Sequence, residues 1–413
     1  MSNNEMIKKR MSQSLDTSRF AGGNIKQAKD LYFNDIGGKK ILTPHPDSNV
    51  IETSQHVRWQ LDPVSFAPGT ITNNPITFRL SPNYCFKIEN VVLDMVLANT
   101  HATNSVTPVA GPYLIDRIDI GVNGDPNPVQ TLTGDWLFSK FQFFSNDQVN
   151  VLGGLNGLGM SPLTFDPTAQ HAIAALGKET ISLPISLSLL NHINPQTINN
   201  DIIISVYPRA NPVLSGTGTL VMNAMNLRLI SKRNRIAEEN HRKLELQFPK
   251  KIPYSTIQSS SWTGTLTAGT MTEIPIQFKD SCINAAFSQL GGPSTFQSEY
   301  DAIINVVDNN KTTILGSNGI SAGHIRTTNA AIHSPGVLPS VKAIYWLFFA
   351  DSPMQVIRDG INNGYFQFTS NQFLQLTTGS AFVTGTYTVD VTYVTYQHLM
   401  QEKAICDPYP GAS

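Results

Sequence analysis

Apolar residues in this 413-residue chain recur at every second position, or in short unbroken runs, and almost nowhere at every third or fourth. Residues 76–80, 91–97, 118–122, 202–207, 220–230, 274–278, 303–307, 343–350 and 387–396 are of this kind. They are rich in Val, Ile, Thr, Phe and Tyr and are broken by clusters of Asn, Gly, Pro and Ser. A period of two puts one face of an extended strand on a core and the other in solvent, so the pattern predicts strands and turns. Strands do not alternate with helices in the α/β manner, and the expected class is all-β.

Helical periodicity is confined to two places. In residues 3–19, Ile7, Met11, Leu15 and Ser18 make a thin apolar stripe among basic neighbours. In residues 234–246, Ile236, Ala237, Asn240 and Leu244 have helical spacing, and Glu238 stands four positions before Arg242. The second segment follows a long strand and precedes Pro249 and Pro253, which suits a bridge between domains. A faint internal repeat agrees. GTGTLVMNAMNLRLI, from Gly216, resembles GTYTVDVTYVTYQHL, from Gly385; PITFRLSPNYCFKI, from Pro75, echoes EIPIQFKDSCINAAF, from Glu273, with Cys85 and Cys282 in similar places. The matches fall in the same order in both halves, so two copies of one β domain are expected. The division reads as a basic arm over 1–49, a first β domain over 50–232, a helical link over 233–249 and a second β domain with a tail over 250–413.

Only 14% of residues are charged, against roughly 25% in an average soluble chain. Surfaces that become interface cores lose Lys, Glu and Asp in this way, which points to extensive assembly. The net charge of −1 gives no whole-chain field to hold a polyanion, so no specific nucleic-acid partner is expected. Residues 1–40 nevertheless carry +4, leaving −5 for the rest. Lys8-Lys9-Arg10 could lie on an anionic bilayer or meet phosphates, each cation contributing on the order of 1 kcal/mol, or could be a solvated tail. Cys85, Cys282 and Cys406 are odd in number and far apart, so free thiols made in a reducing cytosol are expected. Basic residues near the start precede no apolar stretch, and the longest apolar run, 343–350, is far short of the roughly 20 residues of a membrane helix.

Motifs that could carry chemistry fail on context. Asp116, Asp119 and Asp125 crowd a stretch that also holds Asn123-Gly124, but an EF-hand counted from Asp119 would place Gly121 and Gln130 where ligands belong. The same stretch reads as a strand and a tight turn, with only Asp116 on the wrong parity. Gly319-Ile320-Ser321-Ala322-Gly323 matches a nucleophile elbow, followed by Asp351, Asp359, Asp390 and His398 in triad order. No strand leads into it and no amphipathic helix follows, so a flexible Gly/Ser loop is expected. The nine histidines show no metal-ligand spacing, and GGLNGLG at 153–159 has the wrong spacing for a phosphate loop. Asn310-Lys311-Thr312 is a formal glycosylation sequon. No catalytic residue, cofactor or metal is expected.

One segment carries a resemblance. Residues 96–145 contain Asn99 to Thr103 (Asn-Thr-His-Ala-Thr), then Gly111-Pro112 with Leu114 and Arg117-Ile118, then Gly134 to Phe138 with Trp136. In that order these elements resemble the double jelly-roll major capsid proteins of tectiviruses, in the tectivirus and adenovirus lineage. The plan of the remaining chain is similar: an N-terminal helix, two eight-stranded jelly rolls joined by a short helical link, and a helix-prone end. The long loops at 146–178 and 308–342 match nothing in that family.

The resemblance implies a major capsid protein: a homotrimer whose six rolls make a pseudo-hexagonal tile of an icosahedral virion. Its partners would be further copies of itself, penton and minor capsid proteins, and an internal membrane touched by the N-terminal segment, here Ile7, Lys8, Lys9, Arg10 and Met11. It would be made in the host cytoplasm and reside in the virion. The competing expectation is a jelly-roll receptor- or carbohydrate-binding protein, with Trp59, Trp262 or Trp346 stacking on sugars, although a buried core tryptophan is commoner.

Overall fold

A computed structural model describes residues 51–81, 87–109, 111–122, 127–139, 172–185, 189–190, 201–210, 212–236, 250–276, 282–291, 303–308, 310–313, 320–321, 343–349, 365–368 and 372–401. The first half holds β1 (Ile51–Leu61), β2 (Gly69–Thr70), β3 (Ile76–Leu80), β4 (Lys87–Asn99), β5 (Val106–Pro108), β6 (Ile115–Val122), β7 (Gln130–Thr133), β8 (Lys178–Ile185), β9 (Ile202–Pro208), β10 (Val213–Gly216) and β11 (Leu220–Ile236). A 3₁₀ turn, Gly111–Leu114, and a short helix α1, Gly134–Ser139, flank β6 and β7. The second half holds β12 (Lys250–Leu266), β13 (Met271–Pro275), β14 (Cys282–Gly291), β15 (Ile303–Val307), β16 (Ile320–Ser321), β17 (Ala343–Phe348), β18 (Phe366–Gln367), β19 (Phe373–Thr377) and β20 (Gly385–Gln401).

Strand order shows how the halves are related. In the first, the sheets run β1-β11-β4-β8 and β3-β9-β6-β7; in the second, β12-β20-β14-β17 and β13-β19-β15-β16. Set aside the two- and three-residue strands β2, β5 and β18 and the short β10, keep β16 as the edge strand beside β15, and each half has the same path. Its first strand pairs with its last, its last with its third, and its third with its sixth; the second, seventh, fourth and fifth make the other sheet. That is the jelly-roll order, and the chain contains it twice in succession.

Each roll is filled from both of its sheets. Along β4, Val91, Leu93, Met95 and Leu97 point inward and are buried, while Val92, Asp94 and Val96 alternate outward. Each such side chain contributes about 1.5–3 kcal/mol on leaving water. Phe78, Leu80, Ile118, Ile120, Ile204, Val206 and Leu227 join them in a first core. Leu266, Ile274, Ile304, Leu374, Phe368, Tyr387 and Tyr393 make a second. Phe368 meets Tyr393 edge-on at 6.3 Å, in a favourable geometry for aromatic rings.

Three details differ from the sequence reading. The strand from Leu220 continues through Ile236, so the helix expected from Asn234 does not begin there; residues 237–249 lie outside the described residues. The strand expected over 274–278 is instead Met271–Pro275. Pro275 supplies no N–H to the ladder and sits on an edge strand, where proline is tolerated, while Ile274 and Ile276 both reach the core as their spacing requires. Ser321 lies in the two-residue strand β16, where a loop was expected. By compactness the chain divides into residues 56–233 with 247–413, which hold both rolls, and residues 1–55 with 234–246, of which only the strand stretches 51–55 and 234–236 are described.

Candidate functional site

The described part of the acidic stretch, 116–122, is a strand. β6 pairs antiparallel with β7, Ile120 opposite Gln130. Asp119 accepts a hydrogen bond from the Thr131 hydroxyl at 2.8 Å and pairs with Arg117 at 3.1 Å. The Arg117 guanidinium lies 4.1 Å over the Tyr207 ring. The parity of Asp116 has a cause: the β6–β9 register shifts between Ile115 and Arg117, a β-bulge that turns Ile115 into the core and leaves Asp116 partly exposed. Residues 123–126, and with them Asp125, lie outside the described residues. Among the described residues no group of three His, Cys, Asp or Glu is placed to hold a metal ion.

The elbow motif has the wrong surroundings. Ser321 pairs with Ile303 in an antiparallel sheet, whereas Asp390 and His398 lie on β20, in the other sheet of that roll. Asp390 and His398 are eight residues apart on one continuous strand, about 26 Å at roughly 3.3 Å per residue. No single imidazole can bridge that span to a nucleophile. Asp390 is bound instead to the Ser261 hydroxyl at 2.6 Å. Asp351 and Asp359 lie outside the described residues.

Two of the three tryptophans named for sugar stacking pack against the cores. Trp59 is half-buried against the first core and Trp262 against the second. Trp346 lies on β17, opposite Phe287 of β14.

The segments that carried the family resemblance form two tight junctions. Asn99 closes β4 and is 2% exposed. Its amide nitrogen donates to the carbonyls of Asn104 at 2.7 Å, Ile173 at 3.1 Å and Ala174 at 3.2 Å. Its oxygen accepts from the backbone N–H groups of His101 and Thr219, each at 3.1 Å. One side chain therefore ties together three loops at one end of the first roll. His101 Nδ1 accepts from the backbone N–H groups of Thr103 and Asn104, at 3.2 and 3.0 Å, and fixes the turn that follows. In the second junction α1 packs on the 3₁₀ turn. Gly134 is so close to the carbonyls of Pro112 and Ile115 that a side chain has no room, and Trp136 and Leu137 are buried. The Thr133 hydroxyl caps α1 by accepting from the Trp136 N–H at 3.2 Å.

A third arrangement, not anticipated from the sequence, joins the two rolls. Thr131 N–H, on β7, donates to the Thr256 hydroxyl of β12 at 2.9 Å, and that hydroxyl donates back to the Thr131 carbonyl at 3.4 Å. The Gln130 amide donates to the Ser255 carbonyl at 2.6 Å; within the second roll, the Thr395 hydroxyl donates to the Thr256 carbonyl at 3.1 Å. Tyr254, Ile257 and Val394, from the second roll, belong to the first core. Residues 254–257 and 391–395 are buried on both faces of their strands, whereas 258–265 are not. The edge of β7, which would present unpaired backbone groups, is thus closed by the side chains of the next roll. Thr and Ser in a β-rich chain give no sequence signal for this; only the buried Gln130, out of place among apolar neighbours, could have marked it.

Ile7, Lys8, Lys9, Arg10 and Met11 lie outside the described residues. No helix among the described residues is long and apolar enough to cross a membrane.

No family model matches the sequence, and no curated protein matches it. Solved structures do. A chain of the PBCV-1 virus capsid is similar with a TM-score of 0.61 at 11% identity, over 84% of this chain and 94% of that one. The Faustovirus major capsid protein is similar with a TM-score of 0.57 at 9% identity, over 97% and 98%. The STIV MCP is similar with a TM-score of 0.50 at 11% identity, over 83% and 96%. At such identities the likeness is one of fold, and the fold this chain shares with them is a pair of consecutive jelly rolls.

Proposed function

We propose that this chain is a major capsid protein, a homotrimeric building block of an icosahedral virion, whose work is assembly with no chemistry at a site. The observation that carries the reading is the doubled strand order joined by a buried seam, in a chain similar over 84% to 97% of its length to viral capsid chains. A pair of like rolls held edge to edge lets three copies imitate a hexagon. The sparse charge suits subunits whose flanks become interface, over areas of several thousand Å² in obligate assemblies.

Within that reading the finer assignments follow from the resemblance. The N-terminal segment, with Ile7, Lys8, Lys9, Arg10 and Met11, faces an internal membrane, and penton and minor capsid proteins complete the shell. The protein is made in the host cytoplasm and ends in the virion. The division into an arm over 1–49, rolls over 50–232 and 250–413 and a link over 233–249 belongs to the same proposal.

The test is mass and shape together. Three copies of a 45.3 kDa chain, about 136 kDa by light scattering, that form sheets or shells in electron micrographs support it. A monomer that stays soluble at every concentration overturns it. For the N-terminal segment, co-sedimentation with anionic liposomes by the full chain and not by residues 21–413 is expected; equal binding by both overturns the membrane assignment.

A further inference from the structure

His101 stands where three segments meet at one end of the first roll, and its ring holds the turn that follows it. Nδ1 accepts from the backbone N–H groups of Thr103 at 3.2 Å and Asn104 at 3.0 Å. An accepting ring nitrogen carries a lone pair and no proton, so this imidazole is neutral, with its hydrogen on Nε2. A further proton goes to Nδ1 and displaces both bonds. Proton and turn compete for one lone pair.

The rest of the junction leans on this turn. The Asn104 carbonyl accepts from the Asn99 amide at 2.7 Å, and the Asn104 amide donates to the Thr217 hydroxyl at 2.8 Å. The Leu176 N–H donates to the His101 carbonyl at 3.3 Å. Segments 99–105, 172–177 and 215–219 are thus joined through residues 101 and 104. Backbone strain is stored at the same place. Leu176 has a φ of 57°, in the left-handed region that a bulky residue rarely adopts, and at 69% exposure burial does not hold it there. What holds it is its own bond to His101 and that of the Gly177 N–H to the Ala174 carbonyl, at 2.9 Å. Opening the turn removes the first of these and lets the backbone relax, which favours release.

Among the described residues, no charged side chain in the segments bonded to the turn offsets an added proton. Residues 172–177 read Ala-Ile-Ala-Ala-Leu-Gly and residues 215–219 read Ser-Gly-Thr-Gly-Thr, without a titratable side chain, and within 99–105 His101 is the only one. The first charged residues beyond them, Lys178 and Glu179, stand on β8 opposite Ala98 and Leu97. His101 is partly exposed, so solvent protons reach it. We propose that His101 is a proton-operated latch: acid places a proton from solvent on Nδ1, opens the 101–104 turn and uncouples the three segments, while the strands of the roll stay folded. Return to neutral pH closes it. The latch belongs to the loops of one chain and does not depend on the assembly reading.

The experiment is hydrogen exchange of the full chain, read by mass spectrometry between about pH 7.5 and about pH 5, the range in which histidine takes up its proton. Rates are compared with those of an unstructured peptide at each pH. Protection of the Thr103 and Asn104 amides is expected to fall about tenfold or more over that range, no more steeply than about tenfold per pH unit for a single proton. The β4 amides of Val91 to Leu97 should stay protected throughout. His101→Asn sets an acceptor oxygen in the place of Nδ1 and cannot titrate, so the turn should persist with equal protection at both ends of the range. In the wild type, exchange of the hydrogen on His101 Cε1, which reports protonation of the ring, should share its midpoint with the two amides. Protection that is flat with pH in the wild type, an equal fall in His101→Asn, or ring and amide midpoints that do not coincide overturns the latch. The ring measurement needs no variant, so it decides even where His101→Asn does not fold.

Discussion

The side chain of Asn99 fills the space in which Gly218 would carry a β-carbon: both of its terminal atoms lie 2.8 Å from that position, and the Asn104 carbonyl lies 2.9 Å from it. The two residues are 119 apart in sequence, and the absence of one side chain admits the other. Gly218→Ala is therefore expected to displace the Asn99 amide. Asn99→Ala removes the donor to the Ile173 carbonyl, which keeps only the Val106 N–H, and the acceptor of the part-buried Thr219 N–H, for a loss of about 1–3 kcal/mol in all. Asn99→Asp should be worse near neutral pH, because a carboxylate then faces three carbonyls in place of a donor. Urea unfolding midpoints check all three. Equal stability of the wild type and Asn99→Asp would show that the junction is not held as described.

Gly134 gives a second expectation of the same kind. A methyl group there would overlap the Ile115 carbonyl and stand 2.7 Å from that of Pro112, and backbone atoms cannot swing aside as a flexible side chain can. Gly134→Ala is expected to cost about 3 kcal/mol or more, in the range that marks a steric fault. Thr133→Val, which removes only the cap of α1, should cost about 1 kcal/mol. Thermal unfolding of the two variants beside the wild type establishes the ranking, and the reverse order refutes the packing argument.

Most of the fold was legible because alternation states which face is buried, and the two rolls repeat it. Ile76–Leu80 begins and ends where the alternation predicts, and Ile303–Val307, buried from Ile304 to Val307, where the short apolar run does. What could not be read has physical reasons. Asp116 broke the pattern because a bulge adds one residue to β6, and a bulge is set by the partner strand, not by the residue itself. β12 is the longest strand of the second roll together with β20, but Ser255, Thr256 and Ser259 to Ser261 hide its alternation. Thr256 and, across the ladder, Thr395 lie where the strands are buried on both faces, and their hydroxyls find backbone partners there, whereas Ser261 is exposed and bonds the Asp390 carboxylate. Of the family-like segments, the sequence showed that Asn99 and Gly134 matter, without showing that they are junctions.

The seam makes a separable prediction. The Thr256 hydroxyl serves both backbone groups of Thr131, so Thr256→Val keeps the shape and removes both bonds. A loss of about 1–3 kcal/mol is expected, since the Thr131 N–H is left without its partner on a half-buried edge. Thr256→Ser should retain most of the stability. If valine and serine behave alike in denaturant titrations, the hydroxyl is not what closes the edge of β7.

Alkaline pH should weaken the second roll through Tyr393. The residue is 2% exposed, and burial pushes its phenol well above the ordinary tyrosine value, with a hydrogen bond to Ser260 acting in the opposite direction. Once unfolded it titrates near pH 10. Below that value both states hold the proton and its contribution to stability is complete. As pH rises past it, the unfolded chain releases a proton that the folded chain keeps, so stability falls by about 1.4 kcal/mol per pH unit for this residue. Tyr393→Phe loses the buried hydroxyl and its hydrogen bond, about 1 kcal/mol near neutral pH, but should show a shallower decline above pH 10. The measurement is unfolding free energy between pH 8 and 11 for both proteins, with phenolate absorbance followed in parallel. Parallel pH curves for the two proteins, or ionisation of every tyrosine in a still-folded chain, would show that Tyr393 is not sealed in the core.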